Sequence, residues 1–312
     1  MIASLALCSI VFSQAPSFHF RGGGVQDLAA AIAEYTGEPC AILMPDPAGT
    51  SFAKPPTLRK ATITPSAENP RESFLKGLNR EFGLVAVEKS ANAFSFGYWP
   101  LRAVRPYWRE GEYSPPGQKA IVEDAEGRLT IRLGPGEAIP ISKLGAYLRL
   151  RATVSGHWFY QKLAVAVAAD RAEKEALVDL IAQAVGAKVI RSDLGIELAF
   201  DPAEFGKRAA ETFERLARDV PPMREKFRFE AEAFRTIPSD VLSEAYKTEH
   251  SSVTWPVKPD SKLWALALEA ARSLPEEVRE KLNPERGIEY EVRAWDSAIH
   301  IRMWSGNTRV VF

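Results

Sequence analysis

Along this chain apolar residues recur at helical spacing in some stretches and at alternate positions in others. Val25, Leu28, Ala29, Ile32 and Ala33 form one stripe, with Gln26, Asp27 and Glu34 between them, which predicts a helix over 25–36 closed by Gly37. "CAILMP" then reads as a strand, "DPAGTSFAKPP" as a Pro-rich loop and "TLRKATI" as a second strand. Asn69, Pro70 and Glu72 carry the signals of a helix start, Phe74, Leu75, Leu78 and Phe82 make an apolar face, and Gly83 ends the helix. "LVAVE" and "AFSFGYW", separated by a turn at "KSAN", predict a pair of strands.

That unit recurs. Leu177 falls on Phe74, Ile181 on Leu78, Val185 on Phe82 and Gly186 on Gly83, an offset of 177 − 74 = 103 residues. Two strands follow, and "KLAVAVAAD" (strand) and "ISKLGAYLRL" (short helix) precede it. Between the halves, "GYWPLRAVRPYWREGEYSPPGQ" has four prolines and no periodicity, as a linker would. From Asp201 onward the pattern is helical, with Phe205, Ala209, Phe213, Leu216 and Val220 along one side of the first helix. Further helices are predicted over 223–235, 238–247, 260–273 and 275–282. Ile288, Tyr290 and Val292 alternate with Glu289, Glu291 and Arg293, and Ile299, Ile301 and Met303 with His300, Arg302 and Trp304, as in a β-meander completed by "NTRVVF". The expected class is α+β: two small βαββαββ-type domains, then a helical domain ending in a three-stranded antiparallel meander. The expected boundaries are 16–99 and 128–200 for the two copies, 100–127 for the linker and 201–312 for the helical domain.

The N-terminus changes the picture. Residues 2–12 are largely apolar and small residues follow, which predicts a secretory signal peptide over 1–15, with cleavage after Ala15 or, alternatively, Ser17. The apolar core is too short to span a bilayer, so no transmembrane segment is expected in the mature chain. A buried first strand is the competing reading. With the peptide removed Cys40 is the remaining cysteine, expected as a buried strand thiol, and a disulfide framework within the chain is excluded. Lys plus Arg and Asp plus Glu both total 40, and no basic block stands out, so nucleic acid is not an expected partner.

Catalytic candidates do not survive their spacing. "RGGGVQD" lacks the third glycine of a dinucleotide fingerprint and the Gly-Lys-Ser/Thr of a phosphate loop, and Asp27 would repel an anion there, so it reads as a turn into a helix. His19, His157, His250 and His300 lie far apart with no ligand partner at metal spacing, so no metal site is expected. In "WDSAIH", Asp296 and Ser297 read as a turn and His300 as an outward strand residue near Glu289 or Glu291. Asp170/Glu173, Asp201/Glu204 and Ser273/Glu276 read as helix caps. No catalytic residue and no cofactor is expected. The aromatic and arginine residues of the linker are the interaction candidates: Trp99, Arg105, Tyr107, Trp108 and Arg109, of types enriched in binding hot spots. They fit a protein partner, a glycan stacked on the rings, or a seam between domains.

"SFHFRGGGVQDLAAAIAEYTG", "CAILMPD" and "NPRESFLKGLNREFGLVAVEKSANAFSFGYW" resemble the short N-terminal domain shared by secretins and TonB-dependent signalling receptors, over about residues 17–99, with a divergent copy at about 128–200. The resemblance implies two helices packed on small sheets, no catalytic residues, and binding of other proteins in the periplasm. The resulting expectation is a periplasmic or secreted, non-enzymatic adaptor of the cell envelope, beside a secretion or pilus system. Its rivals are an envelope glycan-binding protein and a hydrolase with its site between the C-terminal helices and the meander.

Overall fold

The computed structural model describes residues 16–44, 57–87, 92–96, 113–155, 157, 160, 163–248, 251–293 and 299–311. Strand β1 (Phe18–Phe20) leads through the three glycines into helix α1 (Val25–Thr36). Gly22 and Gly23 take positive φ (91° and 141°), a conformation that side chains resist. A Cβ on Gly23 would also collide with the Asp27 carboxylate. Asp27 itself accepts the Gly24 N–H at 2.7 Å. The first turn of α1 is thus capped by its own carboxylate, and the turn reading of "RGGGVQD" holds.

Strand β2 (Cys40–Leu43) follows, then β3 (Ala61–Ile63), α2 (Pro70–Phe82), β4 (Leu84–Ala86) and β5 (Ala93–Phe96). β1 pairs antiparallel with β3, and β2 pairs parallel with β5 of the β4–β5 hairpin. Cys40 is fully buried, and burial pushes its thiol pKa far above the usual range. At the start of α2 the Asn69 side chain binds the Glu72 carboxylate at 2.6 Å instead of the backbone.

Next come β6 (Ile121–Glu123), β7 (Leu129–Arg132) and β8 (Ile139–Pro140), a 3₁₀ turn, α3 (Leu144–Leu148), β9 (Ala152–Val154), β10 (Ala164–Ala172), α4 (Lys174–Val185), β11 (Ala187–Ser192) and β12 (Gly195–Phe200). β8 pairs antiparallel with β10, and β9 pairs parallel with β12 of the β11–β12 hairpin. The pairing of the first half is therefore repeated strand for strand. Leu84 opposite Phe96 becomes Ala187 opposite Phe200, and Ile42 beside Phe94 becomes Val154 beside Leu198. The left-handed residue after the helix is Gly37 (φ 72°) in one half and Arg149 (φ 53°) in the other.

The halves share a sheet, ordered β4-β5-β2-β10-β7-β6 with β8 beside β10. β2 and β10 join them, with Cys40 opposite Ala168 and Ile42 opposite Ala166. β10 is buried from Ala164 to Ala169 because both of its faces are covered, as its unbroken apolar run suggests. Ala164, Ala166 and Ala168 face the core of α1, where small side chains let the helix approach. Val165, Val167 and Ala169 face the opposite core, where α4 packs over β2 and β5. β6 lies inside the stretch expected as linker.

The C-terminal part comprises α5 (Pro202–Asp219), α6 (Arg224–Thr236), α7 (Ser239–Ala245), β13 (Ser252–Pro256), α8 (Lys262–Ala271), a four-residue α9 (Glu276–Arg279), β14 (Leu282–Arg293), β15 (Ile299–Ser305) and β16 (Thr308–Val311). The expected meander carries a fourth strand, β13, with Trp255 opposite Tyr290. Asp201 caps α5 by accepting the N–H groups of Ala203 and Glu204. The other two expected caps do not form. Asp170 lies within β10 and meets Thr130, Glu173 pairs with Arg128, and Ser273 donates to the Ala270 carbonyl. The chain is α+β, and no helix among the described residues is long and apolar enough to cross a membrane.

Candidate functional site

The sheet outruns the helix that covers it. α1 lies over β2 and β10, while β7 and β6 extend beyond. There the other face, Ile121, Leu129 and Ile131, is buried against the core, and Val122 is left 54% exposed. Val122, Ala120, Thr130, Arg132, Lys119 and Asp170 line an open groove of about 680 Å³.

β10 shapes this groove with a bulge. Its register against β7 shifts between Ala169 and Ala172, and Arg171 takes a left-handed backbone (φ 49°) with its N–H on Thr130 Oγ1 at 3.2 Å. The bulge swings the Arg171 guanidinium to Asp124 (3.0 Å) and Glu126 (3.3 Å) at the β6–β7 turn. Behind the strand Glu123 receives Lys174 at 2.6 Å and Arg149 at 3.0 Å. Hydrogen bonds from Lys174 and then Arg149 hold the Glu123 carboxyl below its ordinary pKa. The Arg128 backbone N–H chiefly does the same for Asp124.

β6 is the terminal strand of the sheet among the described residues. The Asp124 N–H bonds to the Arg128 carbonyl and the Arg132 N–H to the Ala120 carbonyl, with Val122 opposite Thr130 between them. By alternation, Ile121 and Glu123 turn their N–H and C=O groups away from β7. That row of backbone groups is what an added strand would use.

Trp99, Arg105, Tyr107, Trp108 and Arg109 all lie outside the described residues, as do the expected signal peptide, Asp296 and Ser297. Tyr113, near the end of the aromatic stretch, is buried in the core around α1. His19 pairs with Thr62, His157 lies between Ser155 and Ser243 with its ring 4.4 Å from that of Phe200, and His300 sits opposite Glu291. The seam between the C-terminal helices and sheet is filled by Ile288, Tyr290, Val292, Ile299, Ile301 and Met303. Tyr290 donates to the Leu263 carbonyl there, and the buried Glu230 accepts the Ile299 N–H. The residues that line the β6 groove were missed because they sit beside the Pro-rich stretch. The signal was present in "IVEDAEGRLTIR", two short β-rich runs around an Asp-Ala-Glu-Gly turn.

No family model, no curated protein and no solved structure matches this chain.

Proposed function

We propose that this protein is an exported protein-recognition adaptor of the cell envelope, built from two secretin- and TonB-like short N-terminal domains and a helical C-terminal domain. The observation that carries the reading is the way the sheet grows: one βαββαββ unit is extended by a strand of the next through β2 and β10, and the growth ends at the outward row of β6 beside an exposed valine. Sheet edges of this kind bind partners by main-chain hydrogen bonding, with side-chain pockets supplying specificity. Two helices packed against small sheets in each unit support the family resemblance. The apolar N-terminal stretch supports export to the periplasm or beyond.

The test is affinity purification of the tagged mature chain from its own envelope after mild cross-linking, read by mass spectrometry. Near-stoichiometric recovery of an envelope protein is expected. Recovery of the bait alone overturns the reading and brings a glycan ligand forward, which pelleting with isolated envelope glycan would reveal.

A further inference from the structure

We infer that the β6 edge takes an extended peptide segment of defined chemistry: an apolar residue and, two positions away on the same face, a carboxylate. This deepens the adaptor reading and rests on it. A strand laid along β6 bonds to the outward N–H and C=O groups of Ile121 and Glu123. Val122 then falls in a non-hydrogen-bonded pair, where facing side chains are closest, so the partner residue opposite it is apolar. Two positions along on the groove face lies Ala120, and across it on β7 stands Arg132. Alanine leaves a path over which a carboxylate on the partner strand reaches Arg132, and Lys119 flanks the same path.

Charge decides the sign. The groove's other cation, Arg171, is already paired with Asp124 and Glu126, while Arg132 and Lys119 form no ion pair with a described residue. A cation at the partner's second position would meet those two positive charges instead. Toward Asp124 the carboxylates of Asp124, Glu126 and Asp170 outnumber the Arg171 cation, so the groove's positive charge, and with it selectivity for a carboxylate, is concentrated at the Ala120 end. Edge strands are guarded against unwanted pairing by shortness, charge, proline or bulges, and three-residue β6 has the first of these. Here the central outward side chain on the groove face is Val122.

The experiment uses the full chain and a fluorescein-labelled threonine heptapeptide carrying one valine and, two positions on, one glutamate. The control peptide has lysine in place of the glutamate. Anisotropy titration is expected to show a preference of about fivefold for the glutamate peptide, as one or two exposed ion pairs allow. Arg132→Glu should reverse that preference, and Val122→Lys should abolish binding of both peptides with the thermal midpoint unchanged. Equal binding of the two peptides, no binding of either, or indifference to Arg132→Glu overturns the inference. So does concentration-dependent self-association that Val122→Lys removes, because the occupant would then be a second copy of this chain. If the envelope partner captured by the wild type is captured equally by Val122→Lys, the adaptor reading stands and the β6 inference falls. If the wild type captures nothing, the adaptor reading itself has failed.

Discussion

Arg208 is the residue whose replacement should most directly loosen the C-terminal helices from the repeated part. It lies on α5, is 8% exposed, and donates from Nη1 to the Ala184 carbonyl (3.0 Å), from Nη2 to the Gln183 carbonyl (2.6 Å) and from Nε to Glu204 (2.6 Å). The two carbonyls belong to the last turn of α4, where helix ends run out of intrahelical donors; the Gln183 carbonyl also accepts the Gly186 N–H at 3.3 Å. A cation there also meets the negative end of the helix dipole. Arg208→Met keeps most of the packed stem and removes all three bonds. The Ala184 carbonyl left without its donor costs about 1–3 kcal/mol, the Gln183 carbonyl less because it keeps the Gly186 N–H, and Glu204 is exposed enough to regain hydration. The expected loss is therefore about 3 kcal/mol, or roughly 6 °C in thermal midpoint at about 2 °C per kcal/mol for a large domain. Arg208→Lys keeps the charge and can reach one carbonyl, so it should recover about half of the loss. Calorimetry of the three proteins at neutral pH checks this. If Arg208→Met lowers the midpoint by less than 1 °C, α4 is not held by this side chain.

Three further outcomes follow from the same kind of accounting. Ala166→Leu on β10 forces side-chain volume between the sheet and α1 and should cost about 1–3 kcal/mol in urea unfolding; a neutral result would mean that α1 does not approach closely. Gly23→Ala meets both a positive φ and the Asp27 carboxylate, and should cost about 1–3 kcal/mol, seen as lost amide protection in the first turn of α1. Burial, the largest influence, lowers the His157 pKa, so the unfolded chain binds the proton more tightly; stability should be full above about pH 6.5 and fall as pH drops through and below that value. His157→Gln should flatten that slope, and an unchanged profile would place the dependence elsewhere.

Local signals marked the main helices and three of the four C-terminal strands, because their causes are local; β13 was not among them. Gly37 and Gly83 end α1 and α2 at the expected residues, and the Asp201 cap opens α5 where the Asp-Pro pattern places it. The alternation around Ile288 and Ile301 reappears as buried and half-exposed positions. What escaped was long-range pairing. β9 is three residues long, too short for periodicity, and it shows itself only through its parallel partner β12. "KLAVAVAAD" announces a buried strand, yet nothing in it says that β2, more than a hundred residues earlier, lies alongside. Asp170 and Glu173 have cap spacing, but β10 continues through Asp170 to its bulge and takes that carboxylate to Thr130. The groove at β6 depends on this bulge and on where α1 stops, neither of which has a local signature.

The repeat also explains where the array of units stops. In the first half the sheet face under α4 is made by Ala41, Leu43 and Ala93, all buried. By the register of the parallel pairs, Thr153 and Glu197 occupy the positions of Ala41 and Ala93 in the second half, and both are exposed. Covering Glu197 with a helix such as α4 would bury a carboxylate without a partner, a cost several times that of leaving it in water. α2, the counterpart of α4, has Asn79 where α4 has the buried Ala182, one 103-residue offset away. Neither side of a third junction has been given an apolar surface. Terminal units of repeat arrays need such a polar outer face to remain soluble. The two units therefore form a closed pair at that end, and β6, where the groove face centres on Val122, is a terminal strand of the shared sheet at which a further strand can be added.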